Sequence, residues 1–309
     1  MHNKNKKYDI YTHDGMFHPD EIFAICLLKM FYCNVGEIYR TRNSDTLFKA
    51  YNDNNSILID VGEKYDCKKH AFDHHQETMD LYWDNYEHLY GVSIPLSSTG
   101  LVFKFLWENG YMDLSDYVIN NILTKWVIPI DAADNGIIDF EKNAFIFSFN
   151  RIFDDANMQF NKAIEATYQL LENIIYNEIE QETINIETEY YVSSKEEIIV
   201  NDKKYYFVFY NNLRFNPSYA KLIDKDIDFH ISCSNNSFFV RSFENNEENG
   251  FRSYKHLVPD KIYKTEKCKL SNLIGGNVVF IHKNKFAFRI NGSKDSVIKF
   301  IKIMLSEKK

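Results

Sequence analysis

Within its first 62 residues the chain alternates short apolar strands with helices, and this alternation limits the possible folds more than any other feature. Tyr8–Thr12 reads as a strand and Glu21–Phe31 as a helix that is apolar nearly all the way round. Glu37–Thr41 reads as a second strand, Ser44–Tyr51 as a short helix capped by Asn43 or Ser44, and Ser56–Val61 as a third strand, apolar enough to be central. A β-α-β-α-β order predicts an α/β fold, a parallel sheet with flanking helices, with function gathered at the carboxyl ends of the strands.

Farther along, Gly62–Pro95 reads as irregular and is dense in His, Asp and aromatic residues. Ser98–Asn109 is a predicted helix stopped by Gly110, Leu114–Ile128 a second one running into Pro129, and Met158–Glu189 a long third. From about Tyr190 the pattern turns strand-rich: Glu197–Val200, Tyr205–Tyr210, Asp228–Ser232 and Phe238–Phe243, then a hairpin of Val278–His282 and Lys285–Ile290. Ser293–Leu305 closes the chain as an amphipathic helix. The expected organisation is a catalytic parallel-sheet domain over residues 1–155, a connecting helix over 156–192 and a smaller mixed α+β domain over 193–309.

Composition narrows the function. Of the 309 residues, 45% are hydrophobic and 26% charged, which suits a folded chain and not a disordered one. No apolar run approaches the roughly 18 residues of a membrane span, and no apolar stretch follows the polar start, so neither membrane nor secretion is expected. The five cysteines, Cys26, Cys33, Cys67, Cys233 and Cys268, form no disulfide framework. A reducing, intracellular and cytoplasmic location is the expectation. A net charge of −8 speaks against a broad basic face for nucleic acid. Phosphate would have to be met by a local site or by bound metal.

The ionisable residues of the first half form four clusters: His13-Asp-Gly-Met-Phe-His18-Pro-Asp20-Glu21 after the first strand, Asp60 at the end of the third, His70-Ala-Phe-Asp73-His74-His75-Gln76, and Asp131-Ala-Ala-Asp134-Asn-Gly136 after a helix. Imidazole and carboxylate suit divalent Mn, Fe, Co and Zn. Neighbouring strand ends let His13, His18, Asp20 and Asp60 converge, and two cations about 3.5–4 Å apart would clamp a phosphoryl group. Taken singly, each cluster has an ordinary explanation as a cap, a turn or a surface group. Four together, at strand ends and loops, do not. A structural zinc site on Cys67, His70 and His74 matches no common ligand spacing.

Asp73-His74-His75 is the namesake motif of the DHH phosphoesterase superfamily, and the wider set is similar to one of its branches, the MYG1 family. The strings that carry the resemblance are Thr12–Glu21, Arg40-Thr-Arg42, Ile59–Gly62 with Tyr65-Asp66, His70–Gln76, Ser97–Leu101 and Asp131–Gly136, in family order. Gly250-Phe-Arg252, Gly275-Gly276 and Phe280–His282 match more loosely. The resemblance implies a two-domain, metal-dependent phosphoesterase with its site in a cleft between domains, acting as an exonuclease on RNA from the 3′ end. It implies a first metal on His13, His18, Asp20 and Asp60, and a second on Asp20, Asp60, His74 and either Asp134 or Asp131, with Asp134 preferred. His18 stands where many superfamily members carry Asp.

Two divalent ions are thus expected, Mn2+ first, with Mg2+, Co2+ or Zn2+ as alternatives. His75 would face the substrate phosphate, Asp73 would orient a ring, and Asp60 would bridge, so these three carry the catalytic expectation. Arg42, Arg252, His282 and Arg289 are the candidate phosphate contacts, with Gly275-Gly276 permitting close backbone approach. The expected partner is RNA or a short oligonucleotide, and a homodimer is allowed. The rival readings are a phosphohydrolase of a dinucleotide, nucleotide bisphosphate or pyrophosphate, and a metal-binding regulator without turnover.

Overall fold

The computed structural model describes residues 6–76, 81–139, 141–144, 146, 148–149, 159–211, 214–245 and 253–307. By packing, the chain divides into Met1–Ile179 and Glu180–Lys309.

The first unit is built on strands β1 (Lys7–Thr12), β2 (Asn34–Arg40), β3 (Ser56–Ile59), β4 (Tyr65–Asp66) and β5 (Ala71–Phe72). They lie in the order β2-β1-β3-β5-β4. All neighbours are parallel except the β4–β5 edge. Every residue of β3 is buried, as a strand covered on both faces must be. Helix α1 (Pro19–Phe31) buries ten consecutive residues, Pro19 to Leu28, so its apolar circumference is used in full. Helix α2 (Ser44–Tyr51) is capped by Asn43, whose side chain accepts from the Thr46 N–H at 2.9 Å.

Gly62–Pro95 is more ordered than its sequence suggests. It holds β4, a 3₁₀ turn at Cys67–Lys69, β5 and the single-turn helix α3 (Glu87–Tyr90). The helix expected to end at Pro129 instead continues through it. Helices α4 (Ser98–Glu108) and α5 (Asp116–Ile122) are followed by a π-helical turn, Leu123–Val127, and then α6 (Ile128–Asp134). A proline ring inside a helix collides with the carbonyl four residues earlier, and a wider turn placed there relieves the clash. The first half of the long helix α7 (Phe160–Ser193) buries Ala163, Ile164, Leu171, Ile174 and Ile175 in the first core. The division between the units falls within this helix.

The second unit is a six-stranded mixed sheet: β6 (Glu196–Val200), β7 (Lys203–Tyr210), β8 (Ile227–Ser234), β9 (Ser237–Ser242), β10 (Asn277–Ile281) and β11 (Ala287–Asn291). The order is β10-β11-β9-β8-β7-β6, and only β7 and β8 run parallel. A parallel pair needs a crossover, here carried by α8 (Pro217–Ile223). Helices α9 (Asp260–Tyr263), α10 (Lys267–Ile274) and α11 (Lys294–Ser306) complete the unit. Val297, Phe300, Ile301 and Met304 of α11 share a core with Phe207, Phe229, Ile231, Phe288 and Ile290 of the sheet. No helix among the described residues is long and apolar enough to cross a membrane.

Candidate metal centre

The carboxyl ends of β1 and β3 deliver the first two candidate ligands. His13 follows directly on β1 and is buried, with Nδ1 hydrogen-bonded to the Asp14 carbonyl at 2.9 Å. That bond fixes the tautomer and leaves Nε2 as the atom open to a cation. Nε2 lies 3.0 Å from Glu21 Oε1 and 3.2 Å from Asp60 Oδ2. Asp60 ends β3 in the left-handed region, with φ of 55°, which is why the strand stops before Val61. The first turn of α1 adds His18, Asp20 and Glu21. The His18 N–H donates to Glu21 Oε2 at 2.8 Å, which turns the other oxygen of Glu21 to His13.

The segment after β5 supplies the other side. His74 Nε2 sits 3.4 Å from Asp60 Oδ1 and 3.1 Å from Asp134 Oδ2, at the end of α6. His75 Nδ1 is 2.7 Å from Asp73 Oδ1 and 3.5 Å from Asp60 Oδ1. Asp73 itself is held by the Glu63 N–H at 2.6 Å. Three overlapping groups result, each with ligand atoms within 4.8 Å of one another: His13, His18, Glu21 and Asp60; Asp60, His74 and His75; and His18, Asp20 and Asp134. Asp60 belongs to two of them, with one oxygen turned to each side.

This crowding has an electrostatic signature. Burial would lower the His13 pKa, but the carboxylates of Asp60 and Glu21 outweigh it and push it up to about 10. His74 is likewise raised to about 10, by Asp134 and Asp60 against the effect of burial. Burial alone would raise Asp60, yet His13 and His74 hold it below the ordinary carboxylate range. Asp20 is driven well above that range, first by burial and then by Asp60, Asp134 and Glu21. Neither oxygen of fully buried Asp20 meets a hydrogen-bond donor among the described residues. Four carboxylates crowded together, one of them with no donor for either oxygen, suit a cation. Mixed imidazole and carboxylate donors fit a first-row divalent ion.

Of the two aspartates left open by sequence, Asp134 is the one beside His74. Asp131 is in none of the three groups. Its Oδ1 accepts from the Ser97 N–H at 3.1 Å, the Ser97 hydroxyl at 2.5 Å and the Gly100 N–H at 3.0 Å, and its Oδ2 from the Trp83 indole at 2.6 Å. It therefore caps the start of α4 from a neighbouring helix. A Cβ on Gly100 would meet Asp131 Oδ2 at 2.2 Å, so that position admits only glycine. Ser98 and Thr99 brace the centre itself: the Ser98 hydroxyl is 3.4 Å from Asp60 Oδ1, and Thr99 donates to the Asp20 carbonyl at 2.7 Å. Among the described residues Cys67 and His70 join no metal group; they pair with Tyr65 and Tyr32 instead.

Two cavities flank the centre. One of about 550 Å³ is lined by Asp60, Asp73 and His75 together with Arg42, Phe48, Tyr51 and Lys64. A smaller one of about 250 Å³ lies against His18, Asp20 and Asp134. Arg42 is exposed and 3.5 Å from Asp14 Oδ1. Arg40 braces the loop between the first two histidines by donating to the Gly15 carbonyl at 2.7 Å.

The second-unit candidates are dispersed. His282 accepts from the Asn284 N–H at 3.1 Å, and its ring lies 4.4 Å from that of Phe286. Arg289 stacks over Phe239 at 5.3 Å and lines a separate cavity. Gly275 ends α10 with a φ of 68°, and a Cβ on Gly276 would meet Ser296 at 2.9 Å, so both glycines have packing reasons. Arg252 lies outside the described residues. Glu21 is the ligand candidate that sequence reasoning passed over.

Over 138 residues the chain is 36% identical to the MYG1 protein of Chlamydia pneumoniae, a match covering 44% of this chain and 40% of that one. Over 139 residues it is 35% identical to the MYG1 exonuclease of Mus musculus, covering 41% of this chain and 35% of that one. The matched part thus spans well under half of each relative. A solved pGpG-specific phosphodiesterase of Vibrio cholerae aligns over 98% of both chains at 10% identity and a TM-score of 0.31. Residues 9–305 match the family profile described as uncharacterised protein family UPF0160, the MYG1 exonuclease group, and the chain belongs to that family.

Proposed function

We propose that this chain is a metal-dependent phosphodiesterase, an exonuclease that removes nucleotides from the 3′ end of RNA or short oligonucleotides. The observation that carries the reading is Asp60, buried between two imidazole groups, with Oδ2 turned to His13 and Oδ1 to His74. A carboxylate so placed can serve two cations at once. His13, His18, Glu21 and Asp60 would hold one, and Asp60, Asp20, His74 and Asp134 the other, with manganese favoured by the mixed donors. Two such ions, when bound, neutralise phosphoryl charge and activate water at neutral pH.

The chain's own groups do the rest. Asp73 accepts a hydrogen bond from His75 Nδ1–H and fixes the ring, which leaves Nε2 available to a phosphoryl oxygen. The hydrogen bond that His75 donates to Asp73, more than any other influence, raises the His75 pKa and favours the donating imidazolium. His75 is 57% exposed on the wall of the larger cavity, as a group that meets substrate must be. Arg42 and Lys64 offer that cavity positive charge, and Phe48 and Tyr51 offer it rings for a base. The exonuclease name of the mouse relative supports the class of reaction.

A hydrolysis panel tests this, with Mn2+, Co2+, Mg2+ and Zn2+ against RNA, DNA, dinucleotides and pyrophosphate. A ladder of mononucleotides from RNA is the expected result. Turnover of pyrophosphate or dinucleotides alone favours the small-molecule reading, and metal binding with no turnover of any substrate favours the regulator.

A further inference from the structure

Of the three carboxylates lining the larger cavity of the first unit, two are committed. Asp60 faces His13 and His74, and Asp73 accepts from the Glu63 N–H at 2.6 Å and from His75 at 2.7 Å. The third, Glu63, is exposed, and among the described residues no cation or donor engages its carboxylate. Lys64 instead rests over the Tyr51 ring at 4.2 Å, and Arg42 lies 3.5 Å from Asp14. The backbone of Glu63 is closely held. Asp60, Gly62 and Glu63 have φ of 55°, 98° and 52°, so three of the four residues from 60 to 63 are left-handed. That conformation is uncommon for a glutamate and persists only where the surroundings over-determine it. Here the Glu63 N–H donates to Asp73, and the Asp73 N–H donates back to the Lys64 carbonyl at 3.2 Å. Glu63 is thereby fixed one hydrogen bond away from the carboxylate that orients His75.

An open carboxylate repels phosphate, so in a cavity with Arg42 and Lys64 it lowers affinity unless the substrate brings donors to it. The donors of a nucleotide are its sugar hydroxyls and its base amino groups. Hydrolysis at the last linkage of a strand adds the hydroxyl of water to phosphorus, and the O3′ of the preceding nucleotide leaves with the proton. The released nucleotide keeps its 5′ phosphate, and its ribose is the one place in the strand with two neighbouring free hydroxyls. A carboxylate has oxygens enough to accept from both at once. We propose that Glu63 reads the free 3′ end of RNA by accepting from the 2′ and 3′ hydroxyls of the last ribose. The inference rests on the exonuclease reading above, and adds to it a residue that confines cleavage to ends, to ribose and to termini without phosphate.

The test is single-turnover release of the last nucleotide by the full chain in Mn2+. The substrates are short RNAs with each of the four bases last, ending in ribose, 2′-deoxyribose, 2′,3′-dideoxyribose or a 3′-phosphate. The parent should prefer the diol to the dideoxy end by about tenfold or more, the scale of hydrogen bonds to a charged group, with the 2′-deoxy end between them. It should refuse the 3′-phosphate. Glu63→Gln removes the charge. Glu63→Gly suits the left-handed backbone and keeps the N–H that holds Asp73, so it is the variant safest for the fold. In both, the ratio of diol to dideoxy rates should fall toward one and the 3′-phosphate end should become a substrate. General damage to the fold lowers both rates and leaves that ratio alone. A parent ratio near one, or a ratio that survives both substitutions, overturns the proposal and leaves the exonuclease reading standing. A loss in Glu63→Gln confined to strands with one base last would assign the carboxylate to a base amino group and overturns it too. A parent that cleaves none of the strands overturns the reading and the proposal together.

Discussion

Replacing Asp131 separates a ligand from a structural cap. Its carboxylate receives four donors, two from Ser97 and one each from Gly100 and Trp83, and it is fully buried. In Asp131→Ala the Ser97 hydroxyl can turn to another acceptor, but the two backbone N–H groups and the indole cannot. At about 1–3 kcal/mol for each buried donor left unmet, and allowing for partial relaxation, the loss is roughly 3–5 kcal/mol. Asp131→Asn keeps the shape and one acceptor oxygen, while its amide nitrogen faces a donor, so about 2 kcal/mol is expected. Asp134→Asn, by contrast, should cost under about 1 kcal/mol in metal-free protein, because it breaks one contact and also removes a like charge near Asp20. Urea unfolding in chelator gives the stabilities, and elemental analysis of the folded fraction gives metal content. The reasoning requires Asp131→Asn to be unstable but metal-replete per folded chain, and Asp134→Asn to be stable but metal-poor. A stable Asp131→Asn that has lost metal would refute it.

Four further outcomes are expected. Asp60→Asn should lose more metal and more activity than any other single ligand change, measured by elemental analysis and steady-state rate, since its two oxygens face both imidazole groups. His75→Ala should retain its metal yet lose about 10²–10³ in single-turnover rate, the scale of one lost transition-state donor, whereas His74→Ala should be metal-depleted; the reverse pattern would exchange their roles. Chelation should abolish turnover, and added Mn2+ at a hundred times its Kd should restore it and stabilise the fold by about 2.7 kcal/mol for each ion bound, read in a thermal melt. Burial, and then Arg241, lower the His230 pKa from 6.5 to about 3. The unfolded chain therefore binds the extra proton between those values, and stability falls as pH drops through that window. At pH 5 the loss from this group is about 2 kcal/mol relative to pH 8, and His230→Phe should remove that part of the pH dependence in urea titrations.

The first sheet is legible in sequence because each of its early elements carries its own signal. β1, α1, β2, α2 and β3 are all found where periodicity and apolar runs place them, with ends shifted by a few residues. The third strand stops at Ile59 and not Val61 because Asp60 takes a left-handed conformation, which no hydrophobic pattern encodes. β4 and β5 have two residues each, too few to show alternation, and they exist only through pairing with β3 and each other. In the second unit the strands are legible and the order is not. The parallel β7–β8 pair depends on the crossover through α8, whose seven residues lie in a segment without strong helical periodicity.

The site divides along the same line. His13, His18, Asp60, Asp73, His74 and His75 sit in short local strings at strand ends, where ligand chemistry concentrates, so composition alone exposes them. Glu21 was hidden because a Glu three residues after a helix cap ordinarily closes a capping box. It does so here through Oε2, and only the buried partner of Oε1 reveals a second use. Asp131 and Asp134 could not be separated because residues three apart share a helix face. Which of them meets His74 and which meets Trp83 depends on the phase of α6. That phase is set upstream, in the π turn of Leu123–Val127. A π turn inserts one residue, which rotates every later side chain by about 100° relative to a regular helix. The sequence trace of that event is Pro129, whose ring disfavours the regular turn before it. Which aspartate stands beside His74 as the proposed ligand thus turns on a backbone adjustment several residues away, where residue type carries almost no information about metal chemistry.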